Sequence, residues 1–161
     1  MPHVAAGEVN GLAGSVNCGN PIHAAFAGDA RLGCVAPEGH HLPLSVYWGW
    51  NEETVRHLCV RMGVADPDLR RDRFCAGSMF WVRLAALRPL LDAHLGEWEF
   101  PPEGGFVDGT MAHGIERALG LAVQGAGFVT RTAASVCGLP FDDDAAFAYA
   151  EPTGSLHPQE G

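Results

Sequence analysis

The stretch 74–117 constrains this chain more than any other, and its two ends carry different information. The front, Phe74-Cys75-Ala76-Gly77-Ser78-Met79-Phe80-Trp81-Val82-Arg83, is apolar and dense enough to read as a core strand over 74–82. The back, Glu103-Gly104-Gly105-Phe106-Val107-Asp108-Gly109-Thr110-Met111-Ala112-His113-Gly114-Ile115-Glu116-Arg117, is a glycine-rich turn running into a helix. The turn holds two carboxylates, and a histidine, a glutamate and an arginine follow at once. A buried strand, a short helix, an acid-bearing turn and a second helix are the parts with which α/β enzymes place a catalytic base.

The flanks read as support for that stretch. Residues 21–28 predict a short helix with Pro21 in its first turn, and 32–36 a buried strand stopped by Pro37. Residues 38–50 read as a loop. Asn51 then predicts an N-cap, with Glu52 and Glu53 where the helix dipole favours acids and Gly63 at the far end. Val55, Leu58, Cys59 and Met62 fall on one face of that helix. Residues 84–95 predict a helix with Leu87, Leu90, Leu91 and Leu95 on one side, starting afresh at Pro89. The second helix is expected over 109–119, with Met111, Ala112, Ile115 and Leu119 as its apolar side, and 121–130 as a glycine-interrupted strand or two short ones. The organisation expected is an irregular segment over 1–20, one domain over 21–131, and a flexible acidic, proline-containing tail over 132–161.

Composition enters mainly through what it excludes. The chain has 161 residues and a net charge of −9, and its 10 basic residues are all arginine, without a basic run. That argues against nucleic acid as the main partner. The 5 cysteines lie at 18, 34, 59, 75 and 137 with no C-x-x-C pair, so neither a disulfide framework nor a zinc site is signalled. No apolar run has transmembrane length and the start lacks the pattern of a signal peptide. A cytoplasmic protein without an integral membrane segment is the expectation.

Asp108 leads the chemical candidates. A carboxylate on a turn before a helix is a fixed general base for a bound hydroxyl, or simply the cap of a helix starting at Gly109. Glu103 is the alternative base, or a solvated loop acid. His113, Glu116 and Arg117 lie one turn apart and either bind a phosphate or sugar hydroxyl or form an exposed polar cluster. Tyr47, Trp48 and Trp50 either stack on a sugar ring or fill a core. His40, His41 and His57 lack a metal-binding spacing, and Asp66-Pro67-Asp68 and Asp142-Asp143-Asp144 lack the apolar strand that would deliver them to a nucleotide, so no metal ligand set is assigned.

Phe74-x-Ala76-Gly77-Ser78-Met79-Phe80-Trp81-x-Arg83-x-x-Ala86-Leu87-x-Pro89-Leu90-Leu91, then Glu103, then Asp108-Gly109-Thr110-x-Ala112-His113-x-Ile115-Glu116-Arg117, resembles the rhamnan synthesis protein F family. Upstream, Ala25-Phe26, Leu32-Gly33-Cys34-Val35-Ala36-Pro37-Glu38-Gly39-His40 and Tyr47-Trp48-Gly49-x-Asn51 are similar to the same pattern, so the resemblance covers roughly 20–131.

The resemblance implies a glycosyltransferase-like protein of bacterial cell-surface polysaccharide synthesis, of the rhamnan, O-antigen or lipopolysaccharide type. The implied fold is the acceptor-side portion of a GT-A-like α/β domain, a mixed sheet flanked by helices without the N-terminal nucleotide-binding half. Asp108 is then the base of an inverting transfer, of rhamnose or another hexose, from a nucleotide-sugar to a glycan or lipid-linked acceptor. Glu103 orients that acceptor. His113 and Arg117 contact the leaving diphosphate or brace the loop. Glu116, Trp48, Trp50, Gly77, Ser78 and Arg83 complete the implied binding set.

No glycine-rich βα turn or strand-borne D-x-D precedes Leu32. The donor, with any Mg or Mn ion, is therefore expected on a missing half or a separate polypeptide, with the protein in the cytoplasm or peripheral at the inner membrane face. No cofactor is identified within the chain itself. The alternative is a non-catalytic saccharide-binding or assembly module.

Overall fold

Leu32–Ala36 forms a strand, β1, in which every residue is buried. The computed structural model describes residues 16–45, 48–102 and 104–140. Expectations for 1–15, for Tyr47 and Glu103 and for 141–161 lie outside the described residues. In chain order, α1 is Val16–Gly28, β1 Leu32–Ala36, β2 His41–Pro43 and α2 Glu52–Met62. Then come β3 Arg73–Cys75, β4 Trp81–Val82, α3 Arg88–Asp92, α4 Met111–Gly125, β5 Val129–Thr132 and α5 Ala133–Cys137, with short 3-10 turns at Ala76–Ser78, Leu84–Leu87 and Glu97–Glu99.

β1 is the middle strand of a mixed three-stranded sheet, antiparallel to β4 and parallel to β5. A strand covered on both faces reads as a continuous apolar run, and Leu-Gly-Cys-Val-Ala is one. Leu32 and Val35 pack with Ile22 of α1 and Ala133 of α5. Cys34 and Ala36 pack with Cys75, Ala86 and Val123. The largest core lies beyond, where Val55, Leu58, Cys59 and Met62 of α2 meet Ala118, Leu121 and Ala122 of α4 over Leu42, Leu44 and Phe74. The α2 face read from i, i+3, i+4 and i+7 spacing is the buried one, and Gly63 ends that helix in the left-handed conformation.

Several expectations are corrected. The stretch 74–82 is not one strand. β3 pairs with β2 in a separate two-stranded sheet and β4 pairs with β1, so the chain crosses between sheets at Ala76–Ser78. Gly77 and Ser78 have φ of 77° and 53°, left-handed values that no strand can propagate through. The presumed loop 38–50 contains β2. Pro21 lies inside α1 rather than in its first turn.

Helix α4 does not stop near 119 but continues to Gly125, and the strand expected over 121–130 is confined to Val129–Thr132. Ala118, Leu121 and Ala122 are i, i+3 and i+4 on its buried face, a helical rather than a strand period. The boundary expected at 131 falls inside β5, and α5 follows with Ala133 and Ala134 buried. At Pro89 the helix does restart: a 3-10 turn precedes α3, and the proline sits in its first turn. Leu90 and Leu95 pack on the core, whereas Leu91 is exposed.

The coarse architecture is the expected mixed α/β arrangement, with a mixed sheet flanked by helices. Among the described residues no helix is long and apolar enough to cross a membrane.

Candidate functional site

Two helix starts, one glycine-rich turn and the 76–78 turn converge on a cluster of two carboxylates and one guanidinium. α4 is capped by Thr110, whose hydroxyl accepts from the His113 N–H while His113 Nδ1 accepts from the Thr110 N–H at 3.4 Å. Asp108 is therefore not the cap of this helix. It lies two residues before the cap and reaches across to the start of α2.

There Asp108 Oδ1 accepts from Asn51 Nδ2 at 2.7 Å and Oδ2 accepts from the Trp50 N–H at 3.1 Å. Gly49 makes that approach possible. Its φ is +56°, and a Cβ at this position would sit 2.0 Å from Asp108 Oδ2. Asn51, expected as a helix cap, holds the cap position by its backbone only. Its side chain is fully buried and bonds Trp48 O and Asp108 instead.

Arg117 stands behind the carboxylate. Its Nη2 is 3.7 Å from Asp108 Oδ1, its Nη1 donates to Glu116 Oε2 at 2.7 Å and to the His113 carbonyl at 3.2 Å, and its guanidinium lies over the Phe74 ring at 5.2 Å. Glu116 Oε1 in turn accepts from the Gly77 N–H at 2.5 Å. The side chains of Arg117, Glu116 and Asp108 are 12%, 16% and 23% exposed, so the pairs are largely shielded from solvent and salt.

Burial alone pushes the Asp108 carboxyl up. The Asn51 amide, the Trp50 and Gly109 N–H groups and the Arg117 charge together outweigh it and hold the group below the ordinary value. Asp108 is thus a carboxylate at neutral pH. The sign of its contribution to stability follows: a depressed folded pKa stabilises fully above the ordinary value of 3.8 and the contribution is lost as pH falls through the folded value. In an acid titration of stability, the native chain should lose more than Asp108→Asn below about pH 4. Parallel acid slopes for the two would show that the carboxylate is not held in this way.

The expected site residues divide into three groups. Asp108, Glu116, Arg117 and the backbone of Gly77 and Trp50 come together, with His113 in the adjoining cap. Ser78 is exposed on the same turn as Gly77. Trp50 is 66% exposed, and its ring is free of the core. Trp48 is different: it packs against the largest core, with its indole N–H buried and without a hydrogen-bond partner among the described residues.

Arg83 is not brought to the cluster at all. Its guanidinium donates to Phe26 O at 2.6 Å and Leu32 O at 3.1 Å and lies over the Phe26 ring, tying the end of α1 to β1. The residue omitted from the expected set is Asn51. The sequence marks it twice, as an N-cap before Glu52-Glu53 and within Tyr47-Trp48-Gly49-x-Asn51, and neither signal points to Asp108.

An ionised carboxylate anchored between two helix starts makes this cluster the candidate site of a mixed α/β domain. The comparisons give the family. The rhamnan synthesis protein F model matches residues 12–128, and the chain belongs to that family. It is 48% identical over 115 residues to the uncharacterized protein WxcX in each of two strains of Xanthomonas campestris pv. campestris, B100 and ATCC 33913. The match takes in 71% of this chain and 16% of those relatives, so the chain spans about a sixth of their length. No solved structure matches it.

Proposed function

We propose that this chain is the acceptor-side part of a glycosyl-transfer site in cell-surface polysaccharide synthesis, of the rhamnan or O-antigen type, and that Asp108 is its base. The observation that carries the reading is the state of Asp108, ionised, partly open to solvent and fixed between α2 and α4 beside the exposed Trp50. In a one-step inverting displacement such a carboxylate takes the proton of the acceptor hydroxyl as that oxygen attacks the anomeric carbon and the nucleotide leaves. Trp50 offers an apolar ring face for the C–H side of the acceptor sugar. Arg117 already faces two carboxylates, which suits it to bracing the loop rather than to binding a diphosphate. Gly77 and Ser78 would border the acceptor on the side of Glu116, and Glu103, five residues before Asp108 in the sequence, would orient the acceptor.

The nucleotide-sugar, with rhamnose one candidate sugar, would be held by another part of a longer chain or by a separate polypeptide. The greater length of the Xanthomonas relatives leaves room for such a part. Among the described residues no three metal-binding side chains converge, so a Mg or Mn ion, where the reaction uses one, belongs in this reading to the donor side. The work would take place in the cytoplasm or at the inner membrane face, on a glycan or lipid-linked acceptor.

Asp108→Asn tests the base. With the donor-binding component present, sugar transfer per folded molecule should fall about 10²–10⁴-fold. The amide also turns an N–H₂ group toward existing donors, costing about 1–3 kcal/mol of stability, so thermal unfolding must be followed alongside. Transfer within tenfold of the native rate would remove Asp108 from the chemistry.

One observation favours a second reading, a saccharide-binding or assembly module without catalysis. The oxygens of Asp108 already accept from Asn51, Trp50 and Gly109, as an anchoring carboxylate's would. Calorimetric titration separates the two. The module binds glycan through Trp50 and ignores a thymidine-diphosphate sugar, whereas the transferase assembly binds both.

A further inference from the structure

Cys34 of β1 and Cys75 at the end of β3 meet in the middle core, where neither the packing nor the carboxylate cluster uses their thiols. Both are 3% exposed and their Sγ atoms are 3.8 Å apart. Disulfide sulfurs lie about 2.05 Å apart, so a closure of about 1.8 Å separates this contact from a bond. The pair also lines a small, partly open apolar cavity with Phe80, Val82, Leu119 and Val123, which has room for about one water-sized molecule.

We propose that Cys34 and Cys75 are a modification site: a thiol pair that a small hydroperoxide oxidises to an intrachain disulfide. The surroundings set the order of events. The two sulfurs share a contact in which either can be the donor; with Cys75 donating, and with help from Thr130, the Cys34 thiol is lowered against the opposing effect of burial. Giving that bond, and burial, push the Cys75 thiol up. In that arrangement Cys34 is the attacking sulfur, entering the reaction as its thiolate. Its sulfur bonds to one peroxide oxygen as the O–O bond breaks, and the second oxygen leaves as water or alcohol, taking up the proton that Cys34 gave off on ionising. Cys34 is then a sulfenic acid. The Cys75 sulfur next displaces the hydroxyl from Cys34, the S–S bond forms, and the hydroxide leaves as water with the Cys75 proton. Two electrons pass from the sulfurs to the peroxide. Cys75 immediately precedes the Ala76–Ser78 turn, whose Gly77 N–H holds Glu116, so drawing Cys75 toward β1 pulls on one edge of the carboxylate cluster. Cys59 makes the contrast. It lies in a different core cluster, and burial, followed by the charge of Asp66, pushes its thiol up to about 11.

The arginines place the five cysteines in five different tryptic peptides, with Cys34 in 32–56 and Cys75 in 74–83. The native chain is exposed to hydrogen peroxide, alkylated, digested without reductant and weighed. The expected product is a 32–56/74–83 pair two hydrogens lighter than the sum of its parts, which separates on adding dithiothreitol. Unlinked peptides carrying thiols or sulfinic acids, or either cysteine joined to another residue or another chain, overturn the proposal. In Cys75→Ser, Cys34 should accumulate as a sulfenic acid trapped by a 1,3-diketone. In Cys34→Ser, Cys75 should remain a thiol under the same exposure, and equal trapping in both variants would overturn the assigned order. None of these readouts depends on sugar transfer.

Discussion

Replacing Gly120 by alanine should cost this domain about 3 kcal/mol, near the upper end of what a single added methyl does to a packed interior. At Gly120, α4 runs against the backbone of β3. A Cβ there would lie 2.2 Å from the Arg73 carbonyl oxygen and 3.5 Å from the Phe74 Cα. The obstacle is backbone, which cannot rotate aside as a side chain does, so helix and strand must part. Alanine's better helix propensity returns only about 1 kcal/mol. For a domain of ordinary stability, about 5–15 kcal/mol, the difference shows as a clearly lower urea midpoint. Gln124→Ala, exposed on the same helix, should leave the midpoint nearly unchanged. A midpoint unmoved by Gly120→Ala would mean that α4 does not lie this close to β3.

Arg117→Met should be comparably damaging for an electrostatic reason. Methionine keeps apolar cover over Phe74 but removes the one cation placed between Asp108 and Glu116. Breaking a buried ion pair leaves an uncompensated charge and costs about 3–5 kcal/mol. Partial exposure of Asp108 puts this case near the lower figure. The penalty should be largest at neutral pH and should shrink as the pH falls below about 4, because protonating Asp108 removes the charge that Arg117 faces. Urea unfolding at pH 7 and pH 3 measures this, and Asp108→Asn added to Arg117→Met should recover part of the loss at pH 7. A penalty independent of pH would mean that Arg117 acts through packing alone.

Parts of the candidate site were legible because they are local. Thr110 and His113 are a cap and its third helical residue, and Glu116 and Arg117 follow within one turn, so helix geometry alone gathers them. The partners of Asp108 were not legible. Trp50 and Asn51 lie 58 and 57 residues away, and Asn51 carried a competing local signal as a helix cap. The place of Arg83 was hidden for the same reason. An arginine after an apolar run looks available until the fold brings carbonyls of α1 and β1 to it.

The sequence by itself determined what depends on short-range chemistry: β1 as a strand buried on both faces, the α2 stripe with its glycine stop, the restart at Pro89 and the family pattern that includes the Asp108 turn. Tertiary structure decided the rest. The run 74–82 has the composition of one core strand, yet it is divided between two sheets because left-handed backbone at Gly77 and Ser78 interrupts it. Gly120 reads as a helix breaker but sits inside α4, where only a residue without a side chain lets helix and strand backbones touch. The carboxylate cluster belongs to the same class. Its charges meet only because α2, α4 and the 76–78 turn share one core, and no spacing along the chain encodes the distance between them.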